Sequence, residues 1–128
     1  MLCLKCEQPF ECPVKPAPVV LDFEKALASC GEADFARSLI DKFRLSLVND
    51  RTELIRLRER PGDWNAIRDK AHHLQSGGAY LGLERIAASA RDLENCLLTG
   101  APSTVREQAL ATLLEAMQEF LAYPPHSG

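Results

Sequence analysis

Ala71-His72-His73-Leu74-Gln75-Ser76-Gly77-Gly78-Ala79-Tyr80-Leu81-Gly82 holds two of the three histidines in the chain and a run of small residues directly behind them. A neutral imidazole is a nucleophile, a proton carrier or a metal ligand, and its ordinary pKa of about 6.5 leaves it largely uncharged near neutral pH. Small residues one turn further along a helix would let another molecule approach the ring. The plainer alternative is a pair of solvated helix-surface histidines. A second candidate is Cys3-x-x-Cys6 with Cys12 beyond it. Such a pair is half of a structural zinc site, but the second tightly spaced pair that closes a four-ligand shell is missing, so thiols on an arm are the simpler expectation.

The histidines need a helix to present them, and the apolar spacing supplies one. Asp63 stands as a cap before Trp64, Ile67, Ala71, Leu74 and Gly78, which recur at three and four residues and define one face. At about 100° per residue, His72 and His73 each fall more than a right angle from the centre of that face, in opposite directions. Periodicity therefore exposes both and chooses neither. Gly82 offers the left-handed backbone that ends the helix.

Other helices flank this one. Asp22 caps a short helix through about Cys30, with Phe23, Ala26 and Leu27 on one face and Gly31 closing it. Phe35, Leu39, Phe43 and Leu47, continued by Ile40, Leu54 and Leu57, predict a long helix from about Glu32 to Arg60, stopped by Pro61-Gly62. Leu83, Ile86, Ala90, Leu93 and Leu97 mark the helix after Gly82, closed by Gly100-Ala101-Pro102. Thr104 with Glu107 reads as a capping box for a last helix with Leu110, Leu113, Leu114, Met117, Phe120 and Leu121 on its face, ended by Pro124-Pro125. No alternating period-two run bounded by turn residues is present. The expected fold is all-α, an antiparallel up-down four-helix bundle with connections of three residues or fewer and a short extra N-terminal helix. Residues 1–20, with Pro9, Pro13, Pro16 and Pro18, read as an arm or linker, 21–123 as the bundle and 124–128 as a tail.

Composition narrows the classes. The 128 residues suit one domain, and 46% hydrophobic with 26% charged is globular rather than disordered. A net charge of -3, with both signs interspersed and no basic block, argues against nucleic acid as partner. No apolar run approaches the roughly 20 residues that span a bilayer, and the N-terminus lacks the pattern of a secretion signal, so a cytoplasmic location is expected. An odd number of cysteines, with Cys30 and Cys96 on apolar helical stretches, fits free thiols. Nothing resembles a catalytic triad, a phosphate-binding glycine loop or a nucleotide site; Asp63 and Asp69 read as a cap and a solvated charge, Trp64 and Tyr80 as packing residues.

Ala71-His72-x-Leu74, followed by small residues, with Gly82 ten positions after His72 and Ile86 beyond, resembles the motif of histidine-containing phosphotransfer (HPt) domains. Tyr80 fits the subset found at the ends of hybrid sensor kinases. Asp34-Phe35, Leu39-Ile40 and Phe43 on the long helix and Gly62-Asp63-Trp64 at the start of the histidine helix extend the resemblance over roughly residues 21 to 122. It implies that His72 is the phosphoacceptor, because only that register places Leu74 and Gly82, while His73 takes the variable position. The family's lysine three after the histidine is Gln75 here and its glycine four after is Ser76, with Gly77 and Gly78 one position late. Arg68, one turn before His72, can supply the missing cation.

The resemblance further implies a non-catalytic phosphorelay carrier. It takes a phosphoryl group from a receiver-domain aspartate and passes it to another receiver, with no ATP site and no cofactor, the magnesium belonging to the receiver. Response-regulator receivers and a hybrid sensor histidine kinase are the implied partners, docking around Arg68, Gln75, Ser76 and Ala79. Because of Gln75 and Ser76, a helical module that docks on such partners without phosphorylation is the alternative.

Overall fold

The structure is a computed structural model that describes residues 19–59 and 63–123. Helices account for nearly all of the described chain: α1 (Phe23–Cys30), α2 (Ala33–Arg58), α3 (Trp64–Tyr80), α4 (Glu84–Leu98) and α5 (Ser103–Ala122). Helix α3 packs beside α4, α4 beside α5, α5 beside α2 and α2 beside α3, closing a four-helix ring, and α1 lies across α2 and α3. The all-helical bundle with a short leading helix is therefore as expected from the apolar spacing.

Local signals explain most boundaries. The Asp22 carboxylate accepts from the Lys25 N–H at 3.4 Å, and the Glu32 carboxylate caps α2 by accepting from the Phe35 N–H at 3.0 Å. Asp63 occupies the cap position of α3, yet its side chain makes no capping hydrogen bond. The Thr104–Glu107 capping box is not formed either. Pro102, with φ -59, starts α5 at Ser103, which carries Thr104 into the first turn and away from the cap position. The connection into α5, Thr99 to Pro102, is accordingly one residue longer than expected. The stops assigned to Pro61-Gly62 and Pro124-Pro125 lie outside the described residues, as do Cys3, Cys6 and Cys12.

The core is where the helical stripes converge. Leu47 and Leu54 of α2, Ile67 and Leu74 of α3, Leu83, Ile86 and Leu93 around α4, and Leu110, Leu113, Met117 and Phe120 of α5 are fully buried. Each fully buried aliphatic or aromatic side chain contributes about 1.5–3 kcal/mol of hydrophobic stabilisation. The expected stripe of α2 is corrected at its N-terminal end: Phe35 is 49% exposed, and Leu39 and Phe43 are half-buried, while Ala36 and Ile40 are buried. A repeat of four residues advances about 40° past a full turn at each step, so a stripe from Phe35 to Leu47 drifts round the helix and only its later members face inward.

Polar bonds lock the ring's seams. Arg44 of α2 donates to the carbonyls of Phe120 and Tyr123 at 2.8 and 3.2 Å, at the C-terminal end of α5, and its guanidinium lies 4.2 Å from the Phe120 ring centroid. Arg51 donates to the Leu114 carbonyl at 3.2 Å, and Lys70 of α3 pairs with Asp50 of α2 at 3.1 Å.

The strap before α1 holds the turn that ends α3. The Asp22 N–H donates to the Gly82 carbonyl at 2.7 Å, and the Arg85 N–H donates to the Val19 carbonyl at 3.1 Å. Lys25 pairs with Glu84 at 2.7 Å, and that hydrogen bond and charge raise the lysine pKa above its ordinary 10.5. Gly82 has φ +75, and a Cβ there would stand 2.1 Å from the Asp22 carbonyl oxygen. Two demands thus coincide at one position: a left-handed backbone and room for the strap.

Candidate functional site

Burial of Ala71 and Leu74 in the core orients the turn between them, and both histidines are exposed, as the periodicity required. Their surroundings differ. His72 leans towards α4, where its Nδ1 lies 2.9 Å from Glu94 Oε2; its side chain is 64% exposed and that of Glu94 19%. A carboxylate only accepts, so Nδ1 donates in this bond, and in the neutral ring Nε2 is the nitrogen that carries the lone pair. Among the described residues no such acceptor stands at the His73 ring.

The ring of His72 borders a notch of about 480 Å³ between α3 and α4, lined by Arg68, Asp69, His72, Glu94 and Leu98. Leu98 is 60% exposed there. Arg68 shares the notch, with its Nη2 3.9 Å from Asp69 Oδ1, a long contact at an exposed position. The notch sets one cation, Arg68, and a held imidazole beside two carboxylates, Asp69 and Glu94, and leaves the ring open to an incoming electrophile.

The remaining members of the expected surface spread around α3. Ser76 and Ala79 are exposed and Gln75 is half-buried. Ser76 lines the opposite groove, about 590 Å³ between α2 and α3, together with Leu39, Phe43, Gly77 and Tyr80. The small residues behind the histidines do less for access than their sequence position suggests. A Cβ at Gly77 would come within 2.8 Å of the Phe43 ring, and one at Gly78 within 3.3 Å of the α4 backbone at Leu83 and Ala87. Both glycines are consumed in packing α3 against its neighbours, and Ser76 and Ala79 are the small residues that face outward.

Tyr80 is not a core residue: it is half-exposed, and its hydroxyl donates to the Ser29 carbonyl at 3.1 Å at the end of α1. Trp64 packs against the core edge under the Arg106 guanidinium, 4.9 Å from its ring centroid. Cys30 and Cys96 are free and half-buried. Among the described residues no cluster of three His, Cys, Asp or Glu side chains is placed to hold a metal ion, and no helix is long and apolar enough to cross a membrane.

Glu94 went unnoticed in the sequence. The signal is the antiparallel α3–α4 pair: counting outward from the turn at Gly82, His72 lies ten residues before it and Glu94 twelve after, so the two meet across the seam.

With the bundle, the outward histidine and the strap-held glycine turn in place, comparison with protein families matches the Hpt domain over residues 35–123. The chain belongs to the Hpt-domain family. Such domains are the histidine phosphotransfer modules of two-component phosphorelays and work with receiver domains and kinases. Neither the curated proteins nor the solved structures gave a match.

Proposed function

We propose that His72 is the phosphoacceptor of this Hpt domain, taking a phosphoryl group from the aspartate of one receiver domain and passing it to another. The observation that carries this reading is the His72 imidazole itself: largely exposed, held at Nδ1 by Glu94 and open at Nε2, in the motif register fixed by Leu74 and Gly82. In the forward step the Nε2 lone pair attacks the phosphorus of the aspartyl phosphate, the P–O bond breaks, and its electrons leave with the carboxylate. The chain acts as a carrier, with no cofactor of its own; magnesium belongs to the receiver, and the reaction belongs to the cytoplasm, where response regulators and the kinase portion of a hybrid sensor meet it.

The docking surface centres on His72 and is flanked by Arg68, Gln75, Ser76 and Ala79. Arg68 supplies positive charge from the notch, in the role that a lysine at position 75 would otherwise fill. The exposed Ser76 and Ala79 leave the approach unobstructed.

The experiment is incubation with a receiver domain charged by acetyl phosphate, followed by a test for acid-labile, base-stable phosphate on this chain. Transfer that is lost in His72→Gln and kept in His73→Gln supports the assignment. Receiver binding with no phosphate on the chain would replace it with the phosphorylation-independent docking module.

A further inference from the structure

We infer that the α4–α5 seam holds a binding site for a small organic cation, a protonated primary amine carried on a short apolar body. At about 100° per residue, the α4 residues that border it, Ser89 and Asp92, lie roughly opposite Glu94 and the His72 notch. The site therefore stands apart from the phosphoacceptor assignment and does not depend on it.

Space comes first. Ser89 and Asp92 of α4 face Thr104, Val105, Ala109 and Thr112 of α5 across a cavity of about 370 Å³. These positions recur at three and four residues, so each helix presents one continuous edge to the gap. Ser89 and Ala109 are small, and neither fills the space that leucines would close in a packed seam. A mainly apolar cleft of this size between bundle helices, with a few polar groups converging on it, has the build of a small-molecule site.

The polar groups then set the sign of the ligand. Ser89, 8% exposed, is the one buried polar side chain among the described residues, and its hydroxyl has no hydrogen-bond partner among them. A buried hydroxyl without a partner is a cost that a ligand relieves. The Thr112 hydroxyl donates to the Gln108 carbonyl at 3.0 Å, which commits its proton and leaves that oxygen only lone pairs to offer. Asp92 is the one charged residue lining the cavity, and it has no ion pair among the described residues. Acceptors and a negative charge, with no basic side chain beside them, suit an ammonium, which carries three donors and no acceptor, and repel a carboxylate or phosphate. Val105, 44% exposed, gives the apolar body a surface to cover.

The test uses the full 15N-labelled chain and three probes of one shape: phenethylamine as its ammonium ion, phenethyl alcohol and phenylacetate. The ammonium should shift the amide signals of Ser89, Val105, Ala109 and Thr112 saturably, with a Kd of roughly 1–10 mM for so small a ligand. Phenethyl alcohol should bind more weakly, and phenylacetate about 10-fold more weakly than the ammonium. Asp92→Asn should weaken the ammonium about 2- to 5-fold, as expected for a partly exposed ion pair, and leave phenethyl alcohol unchanged. Ala109→Leu should fill the cavity and abolish binding of all three probes, with helix content intact by circular dichroism. Ser89→Ala, which removes the hydroxyl at nearly constant volume, should weaken the ammonium in a folded chain even if the leucine variant does not fold. Phenylacetate binding as tightly as the ammonium, an ammonium that shifts no residue of the seam, or ammonium binding indifferent to both Asp92→Asn and Ser89→Ala would overturn the site.

Discussion

The two flanks of α3 are built for different tasks. On the α4 flank His72, Arg68 and Glu94 meet around an open, charged notch; on the α2 flank Phe43 lies against Gly77 in an apolar groove that runs on to Tyr80. One helix presents two adjacent histidines, yet among the described residues the one turned to α4 alone has a carboxylate as hydrogen-bond partner. The contrast teaches that exposure alone does not make a histidine functional. On the proposed assignment, His72 differs from His73 in having Glu94 of the neighbouring helix at its ring, and the turn at Gly82 sets that helix beside α3.

Breaking that turn should therefore disturb both flanks at once, and it carries the largest expected effect. Gly82→Ala places a methyl 2.1 Å from the Asp22 carbonyl oxygen and forces a side chain into φ +75. The loss should be about 2–4 kcal/mol of stability, read as a lower urea midpoint with phosphotransfer falling in parallel. Loss of transfer with the urea midpoint unchanged would contradict this structural role for Gly82.

A change confined to the surface should separate docking from folding. Ala79→Glu puts a bulky charge on an exposed position beside His72 and should weaken receiver affinity by about 1–2 kcal/mol, measured by titration, with the thermal midpoint nearly constant. Unchanged affinity would place the receiver on another face.

Gly77→Ala perturbs the α2 flank alone. Alanine gains about 1 kcal/mol of helix propensity but must displace the Phe43 ring, 2.8 Å away, so the net change in stability should be about 1 kcal/mol or less. Chemistry at His72, tested with phosphoramidate, should not change. A drop in that rate would show that the two flanks are coupled through α3.

The smallest effects belong to the charge beside the ring. Gln75→Lys should speed transfer from the receiver or prolong the phosphohistidine, and Arg68→Ala should do the reverse, each by about 1 kcal/mol or less and less still at higher salt. Rates at two ionic strengths decide it: no change in either variant would mean that positive charge at these two positions is dispensable.

Much of this architecture is legible in the sequence because it is written in apolar spacing. The buried faces of α3 and α5 contain the residues that periodicity selects, from Ile67 to Gly78 and from Leu110 to Phe120, since a helix that packs on one side records that side directly. Features depending on two elements at once were hidden. Phe35 belongs to the four-residue series yet turns outward, because the series drifts relative to a core that α3 and α5 define. Gly77 and Gly78 look like clearance for a partner and prove to be clearance for Phe43 and α4. Glu94 carries no signal in the sequence until α3 and α4 are laid side by side.

The most direct measurement is the location of the phosphate after reaction with a charged receiver. Mapping the acid-labile group by 31P and 15N spectra of the intact chain should place it on Nε2 of His72, absent in His72→Gln and kept to within about twofold in His73→Gln, as expected for an exposed position without a role in the chemistry. Phosphate on His73, or equal loss of acceptance in both variants, would contradict the assignment of His72 and with it the account of the α3–α4 seam as the reactive flank.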